Sequence, residues 1–173
     1  MKKILSILAI LIVTFSCNTE KARQQVDNFR LAKSEEAINN VLDAWHKAAA
    51  DANFDAYFSK MTDDAIFIGT DATENWKNKE FKAFSKPYFD KGKAWSFTAL
   101  ERNVFISEYG DIAWFDELLD TQMELCRGSG VLKKVGDTWK ISHYVLSIAI
   151  PNENVPEIIQ LKKENDSILK SGY

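Results

Sequence analysis

The chain has 173 residues, with 22 lysines and arginines against 25 acidic residues and a formal charge of −3. A mildly acidic chain with interspersed signs excludes the basic face that nucleic acid requires, so no nucleic-acid partner is expected. Two cysteines exclude a disulfide framework, and two histidines with no HxxxH or CxxC spacing argue against a metal site.

In chain order, Lys2 and Lys3 precede an apolar run from Ile4 to Phe15 that ends at Ser16-Cys17. A charged segment followed by a short apolar one is the layout of a signal peptide, here residues 1–16. The run is too short to cross a bilayer core, which needs about 20 residues. Cys17 directly after Ser16 resembles a bacterial lipobox, which implies acylation at Cys17 and a polar tether over 17–25. Membrane association is then expected only through that lipid, with the domain periplasmic or on the cell surface. Thr14 and Ser16 also suit cleavage to a soluble secreted product. Cys126, left without a partner, reads as a small buried hydrophobe.

The folded domain is expected over 26–151, with a C-terminal helix or tail over 152–173. From about Val26 to Asp51 the residues Phe29, Leu31, Ile38, Val41, Leu42 and Trp45 recur at helical spacing. His46, next to Trp45, is expected to face outward. Asn53 is placed to cap a short second helix, Asp64 to Thr70 reads as a strand, and Asn78 to Asp90 as a third helix containing Pro87. After Gly92 the period becomes two, with strands at 94–107, 111–120, 124–135 and 138–150. Pro156 marks the start of a final helix. Helices followed by antiparallel strands make an α+β order, a sheet curled around the first helix.

A hairpin turning at Gly136-Asp137 sets Lys134 opposite Trp139, Gly130 opposite His143 and Gly128 opposite Val145. Glycines inside a strand weaken it and mark a bend or the close approach of another group. A preceding turn at Gln122-Met123 sets Glu117 opposite Gly128. The expected site is therefore a hollow beside Gly128 and Gly130, with His143 and Glu117 at its wall as an acid–base pair. A structural histidine–carboxylate pair is the plainer reading of the same two residues. Trp45, Tyr57, Trp76, Phe115, Trp139 and Ser147 would complete the wall, although Trp45, Trp76, Trp95 and Trp114 are more often core than substrate platform. Arg127 with Asp116 would hold an anion or, more plainly, brace a subunit interface. Asp71 and Glu74 could rim the mouth or cap the third helix. No serine elbow and no Gly-rich phosphate loop is present, and no cofactor is expected.

With these elements placed, the chain resembles the nuclear transport factor 2-like superfamily, in its SnoaL-like branch, over about Ser34 to Pro151. The resemblance rests on Gly69-Thr70-Asp71 with Glu74 and Trp76, on Ala113 to Glu117, on Arg127 to Leu132, and on Trp139 to Tyr144 with Ser147. The spacing of Trp139, His143 and Ser147 also resembles the calcium/calmodulin kinase association domain. The resemblance implies a cone with an inner cavity, and a homodimer through the open sheet. The superfamily includes ketosteroid isomerases, scytalone dehydratase, polyketide cyclases, transport adaptors and assembly domains, so function is not implied by fold. The isomerases' catalytic Tyr and Asp have no residue-by-residue match here. Three functions stay open: a pocket for a small, largely apolar molecule; a cofactor-independent isomerase, cyclase or dehydratase working through His143 and Glu117; and an oligomerisation module without a ligand.

Overall fold

The computed structural model describes the backbone of residues 2–173 and the side chains of residues 25–173. Cys17 and the expected leader fall outside the described side chains. No helix among the described residues is long and apolar enough to cross a membrane.

Helix α1 (Lys2–Ala50) buries Ile38, Leu42, Trp45, His46, Ala48 and Ala49. Those positions form one broad stripe, since residues three and four apart share a helix face. Asn53 caps α2 (Phe54–Ser59), its side-chain oxygen accepting the Ala56 amide at 3.1 Å. Then come β1 (Met61–Ile68), a three-residue β2 (Asn75–Lys77) with no counterpart among the expected elements, and α3 (Asn78–Asp90). Strands β3 (Phe97–Ile106), β4 (Ile112–Thr121), β5 (Glu124–Val135) and β6 (Thr138–Ile148) follow, within a few residues of expectation. A short 3-10 turn leads into α4 (Val155–Lys170), which has Pro156 in its first turn and buries none of its residues.

The six strands form one sheet in the order β2-β1-β6-β5-β4-β3. Every pair of neighbouring strands is antiparallel except β1 with β6, which runs parallel, and α1 packs against β3 and β6. The fold is thus the expected α+β cone, with its core between α1, α2, α3 and the inner sheet face. Gly110 and Gly136 both have φ above +60°, which a side chain resists, so both hairpin turns fall where glycine permits them.

Two bulges decide what faces inward. Between β5 and β6 the pairing starts as expected, with Lys134 opposite Trp139 and Leu132 opposite Ile141, and then slips by one residue. The extra residue is Ser142, whose hydroxyl donates to the Val131 carbonyl at 3.1 Å. Beyond it Gly130 faces Tyr144 and Gly128 faces Leu146. One inserted residue transfers every later side chain to the other face of the sheet. A second slip, between Ala99 and Glu101 of β3, leaves Leu100 exposed and turns Arg102 inward, directly opposite Glu117.

Candidate functional site

Glu117 is wholly buried, and three elements converge on it. Its Oε1 meets His46 Nε2 at 2.9 Å and accepts the Tyr144 hydroxyl at 3.2 Å, while Oε2 accepts Arg102 Nε at 2.9 Å. Arg102 Nη1 continues to Asp43 at 2.7 Å and Asn39 at 3.3 Å, both on α1. Burial pushes the Glu117 carboxyl up, but the His46 hydrogen bond and the charges of His46 and Arg102 outweigh it, so its pKa ends below the ordinary value. The Tyr144 phenol is pushed well above its ordinary value, by burial first and by the Glu117 charge second. A held carboxylate and a neutral phenol donor, sealed from solvent, tie α1 to β3, β4 and β6. They have no open face from which to exchange a proton with a ligand.

This cluster replaces the expected site. Glu117 lies opposite Gly128 as anticipated, but His143 is not its partner. The Ser142 bulge sends His143 to the outer sheet face, opposite Val131 and Ile66. The histidine that reaches Glu117 is His46, expected outside and in fact 4% exposed. Adjacent helical residues lie about 100° apart rather than on opposite sides, so one broad stripe holds both Trp45 and His46. Its position four residues after Leu42 and eight after Ile38 carried that signal. Arg102 was missed because no alternation rule anticipates a bulge in β3.

The glycines make room, but the protein fills it. A Cβ at Gly128 would land on the Tyr144 hydroxyl and the Glu117 carboxylate, and one at Gly130 on the Phe115 ring and the His143 carbonyl. No hollow remains there. Trp45, Tyr57, Phe115 and Trp139 are core residues, and Ser147 sits exposed on the outer face. Arg127 and Asp116 form no ion pair: Asp116 accepts from Asn103 at 3.0 Å and faces Ser129. Trp114, expected in the core, is 48% exposed. Cys126 is buried and free, as anticipated.

The structure does hold a cleft, elsewhere. It lies between the β1–β2 loop, α3, the start of β3 and the β4–β5 turn, with a volume of about 350 Å³. Of the expected wall, only Trp76 lines it. Trp76 stacks on Phe84 with centroids 4.3 Å apart, and Phe81 stacks on Phe67 at 4.0 Å and on Trp95 at 5.7 Å. Phe81, Phe84 and Tyr88 recur at helical spacing along α3. Helix α3 buries Phe81 and leaves Phe84 39% and Tyr88 47% exposed at the mouth. One charged residue, Glu74, is among those lining the cleft. The loop that carries it is braced by its own bonds: the Gly69 amide donates to the Glu74 carbonyl at 2.9 Å, and the Asp71 amide to Glu74 Oε2 at 3.3 Å. A Cβ at Gly69 would collide with that carboxylate. Capping of α3 falls instead to Glu80, which accepts the Lys77 amide at 3.0 Å. No group of acidic, histidine or cysteine residues among those described could hold a metal ion.

A six-stranded sheet curled over one long helix, with an aromatic cleft at its end, defines an α+β cone of the nuclear transport factor 2-like type. Residues 38–151 match the model of the SnoaL-like domain, and the chain belongs to that family. No curated protein sequence matches it. Among solved structures, it is similar to an NTF2-like protein of unknown function from Pseudomonas putida KT2440, with 16% identity and a TM-score of 0.60 over 72% of this chain and 92% of that one. A candidate ketosteroid isomerase from Shewanella frigidimarina NCIMB 400 gives 21% identity and a TM-score of 0.54 over 64% and 94%. A candidate calcium/calmodulin-dependent protein kinase II association domain from Xanthomonas campestris gives 18% and 0.51 over 66% and 86%. At such identities the likeness is one of fold.

Proposed function

We propose that this chain binds a small, largely apolar molecule in the cleft beside α3. The observation that carries the reading is the cleft itself, about 350 Å³ with stacked aromatic walls. Sites for small ligands have volumes of about 300–1,000 Å³ and combine apolar walls with a few polar groups. Here the polar handles are Glu74, Thr70 and Gln122. Binding is favoured over acid–base catalysis because Glu117, His46 and Tyr144 are enclosed and none of them lines the cleft. The test is calorimetric titration with 2-naphthol, a neutral two-ring probe. The reading expects saturable one-site binding that Trp76→Ala weakens at least tenfold. Absence of binding, or equal affinity in the variant, would overturn it.

The outer sheet face supports a homodimer. Phe105, Trp114, Val131, His143 and Ile66 form one cross-strand row there, and Phe105 and Trp114 are each close to half exposed. Scattered apolar residues on a surface are ordinary, but a contiguous row across five strands suits an interface. The leader pattern and Ser16-Cys17 support display outside the cytoplasm on a lipid carried by Cys17.

A further inference from the structure

The cleft's charge is as distinctive as its shape. Aromatic rings present a negative face to whatever lies over them, and a cation held there is attracted by the ring quadrupole. Trp76, Phe84, Tyr88 and Trp95 supply such rings around one opening. Glu74 adds a full negative charge on the same wall, and no lysine, arginine or histidine is among the lining residues. Two nearby lysines of α3 are engaged elsewhere. Lys82 lies over the Phe58 ring and Lys86 over Phe54, with Asp90 as its ion-pair partner, and none of these partners lines the cleft. The Glu74 carboxylate is also fixed in place before any ligand arrives. Its loop folds on itself, with Asp71 Oδ1 accepting the Thr73 amide at 2.8 Å and Glu74 Oε2 accepting the Asp71 amide. Glu74 Oε1 has no hydrogen-bond partner among the described residues.

We infer that the cleft selects organic cations, an alkyl- or arylammonium group seated among Trp76, Phe84 and Trp95 with Glu74 as its counter-ion. This rests on the binding reading above and narrows it to a charge class. An anionic ligand of the same shape would meet the Glu74 charge with no basic residue among those lining the cleft to offset it. A neutral one would gain the aromatic contact alone.

The experiment compares three probes of similar size by competition against bound 2-naphthol: phenyltrimethylammonium, its neutral isostere tert-butylbenzene, and 4-tert-butylbenzoate. A cation placed over desolvated rings beside a carboxylate should bind about tenfold or more tightly than its isostere. The benzoate should be the weakest of the three. Glu74→Gln keeps an acceptor for the Asp71 amide, so the loop retains its bond. In that variant the cation-to-isostere ratio should fall to within about threefold. Raising salt from 0.05 to 0.5 M should weaken the cation in the wild type and leave the isostere unaffected, a readout independent of any variant. If the isostere binds as well as the cation, the charge assignment fails and the binding reading stands. If none of the three displaces naphthol because naphthol itself does not bind, both fail. A preference that persists undiminished in Glu74→Gln overturns the role given to Glu74.

Discussion

Replacing Glu117 with alanine removes one carboxylate and strands three partners. His46 loses its 2.9 Å contact, Arg102 its 2.9 Å bond, and the Tyr144 hydroxyl its 3.2 Å acceptor, all within a site where Glu117 is wholly enclosed. Arg102 keeps Asp43 and Asn39, so its charge is only partly compensated. Removing one member of a buried ion pair costs about 3–5 kcal/mol, because the other charge stays desolvated without its partner. Small domains are stable by only about 5–15 kcal/mol, so the loss is a large fraction of the total. A shift of about 2–4 °C per kcal/mol then puts the melting temperature roughly 6–20 °C below wild type. Urea unfolding should show a lowered midpoint with an unchanged slope, which marks lost stability rather than a changed denatured state. The double variant Glu117→Leu with Arg102→Met removes both charges together and should cost less than the sum of its single changes. A cost under about 1 kcal/mol for Glu117→Ala would refute the view that this cluster fastens α1 to the sheet.

Acid should act through the same carboxyl. Its folded pKa is lowered, so the unfolded chain binds the proton more readily, and stability falls as pH drops below about 4.3 and through the folded value. Urea midpoints between pH 6 and 3 should fall less steeply in Glu117→Gln, and an unchanged slope would count against this linkage. Gly128→Ala pushes a methyl group into the Tyr144 hydroxyl and should cost about 1–3 kcal/mol. Tyr144→Phe alone should cost about 0.5–1.5 kcal/mol and, combined with Gly128→Ala, give less than the sum in urea unfolding. His143→Ala, on the outer face, should leave naphthol affinity as in wild type; a tenfold loss by calorimetry would place the site on the wrong side of the sheet. If the proposed dimer forms, Trp114→Lys should shift it to monomer in sedimentation equilibrium, and a wild type that sediments as a monomer would remove that proposal.

Periodicity and turn chemistry made most of the fold legible in the amino-acid sequence. Gly136 with Asp137 announced one hairpin turn, and the Gln122-Met123 register placed Glu117 opposite Gly128. The site was not legible in the same way, for reasons local to three residues. Ser142 adds one position to β6 and so exchanges His143 for Tyr144 on the inner face, which strict alternation cannot anticipate. A second slip turns Arg102, which stands between Glu101 and Asn103, inward to face Glu117. The wide stripe of α1 holds His46 as well as Trp45, although a two-sided view of the helix sends one of them outward. In each case the backbone irregularity or helix geometry outweighed the pattern. The glycines did signal space, and side chains distant in sequence occupy it.

The five tryptophans offer a direct view of the proposed binding cleft. Their indole N–H signals can be followed by two-dimensional NMR as 2-naphthol is added. Saturable movement of the Trp76 and Trp95 signals, with Trp114 and Trp139 unmoved, is the expected result. Movement of Trp114 or Trp139 while Trp76 and Trp95 stay in place would contradict it.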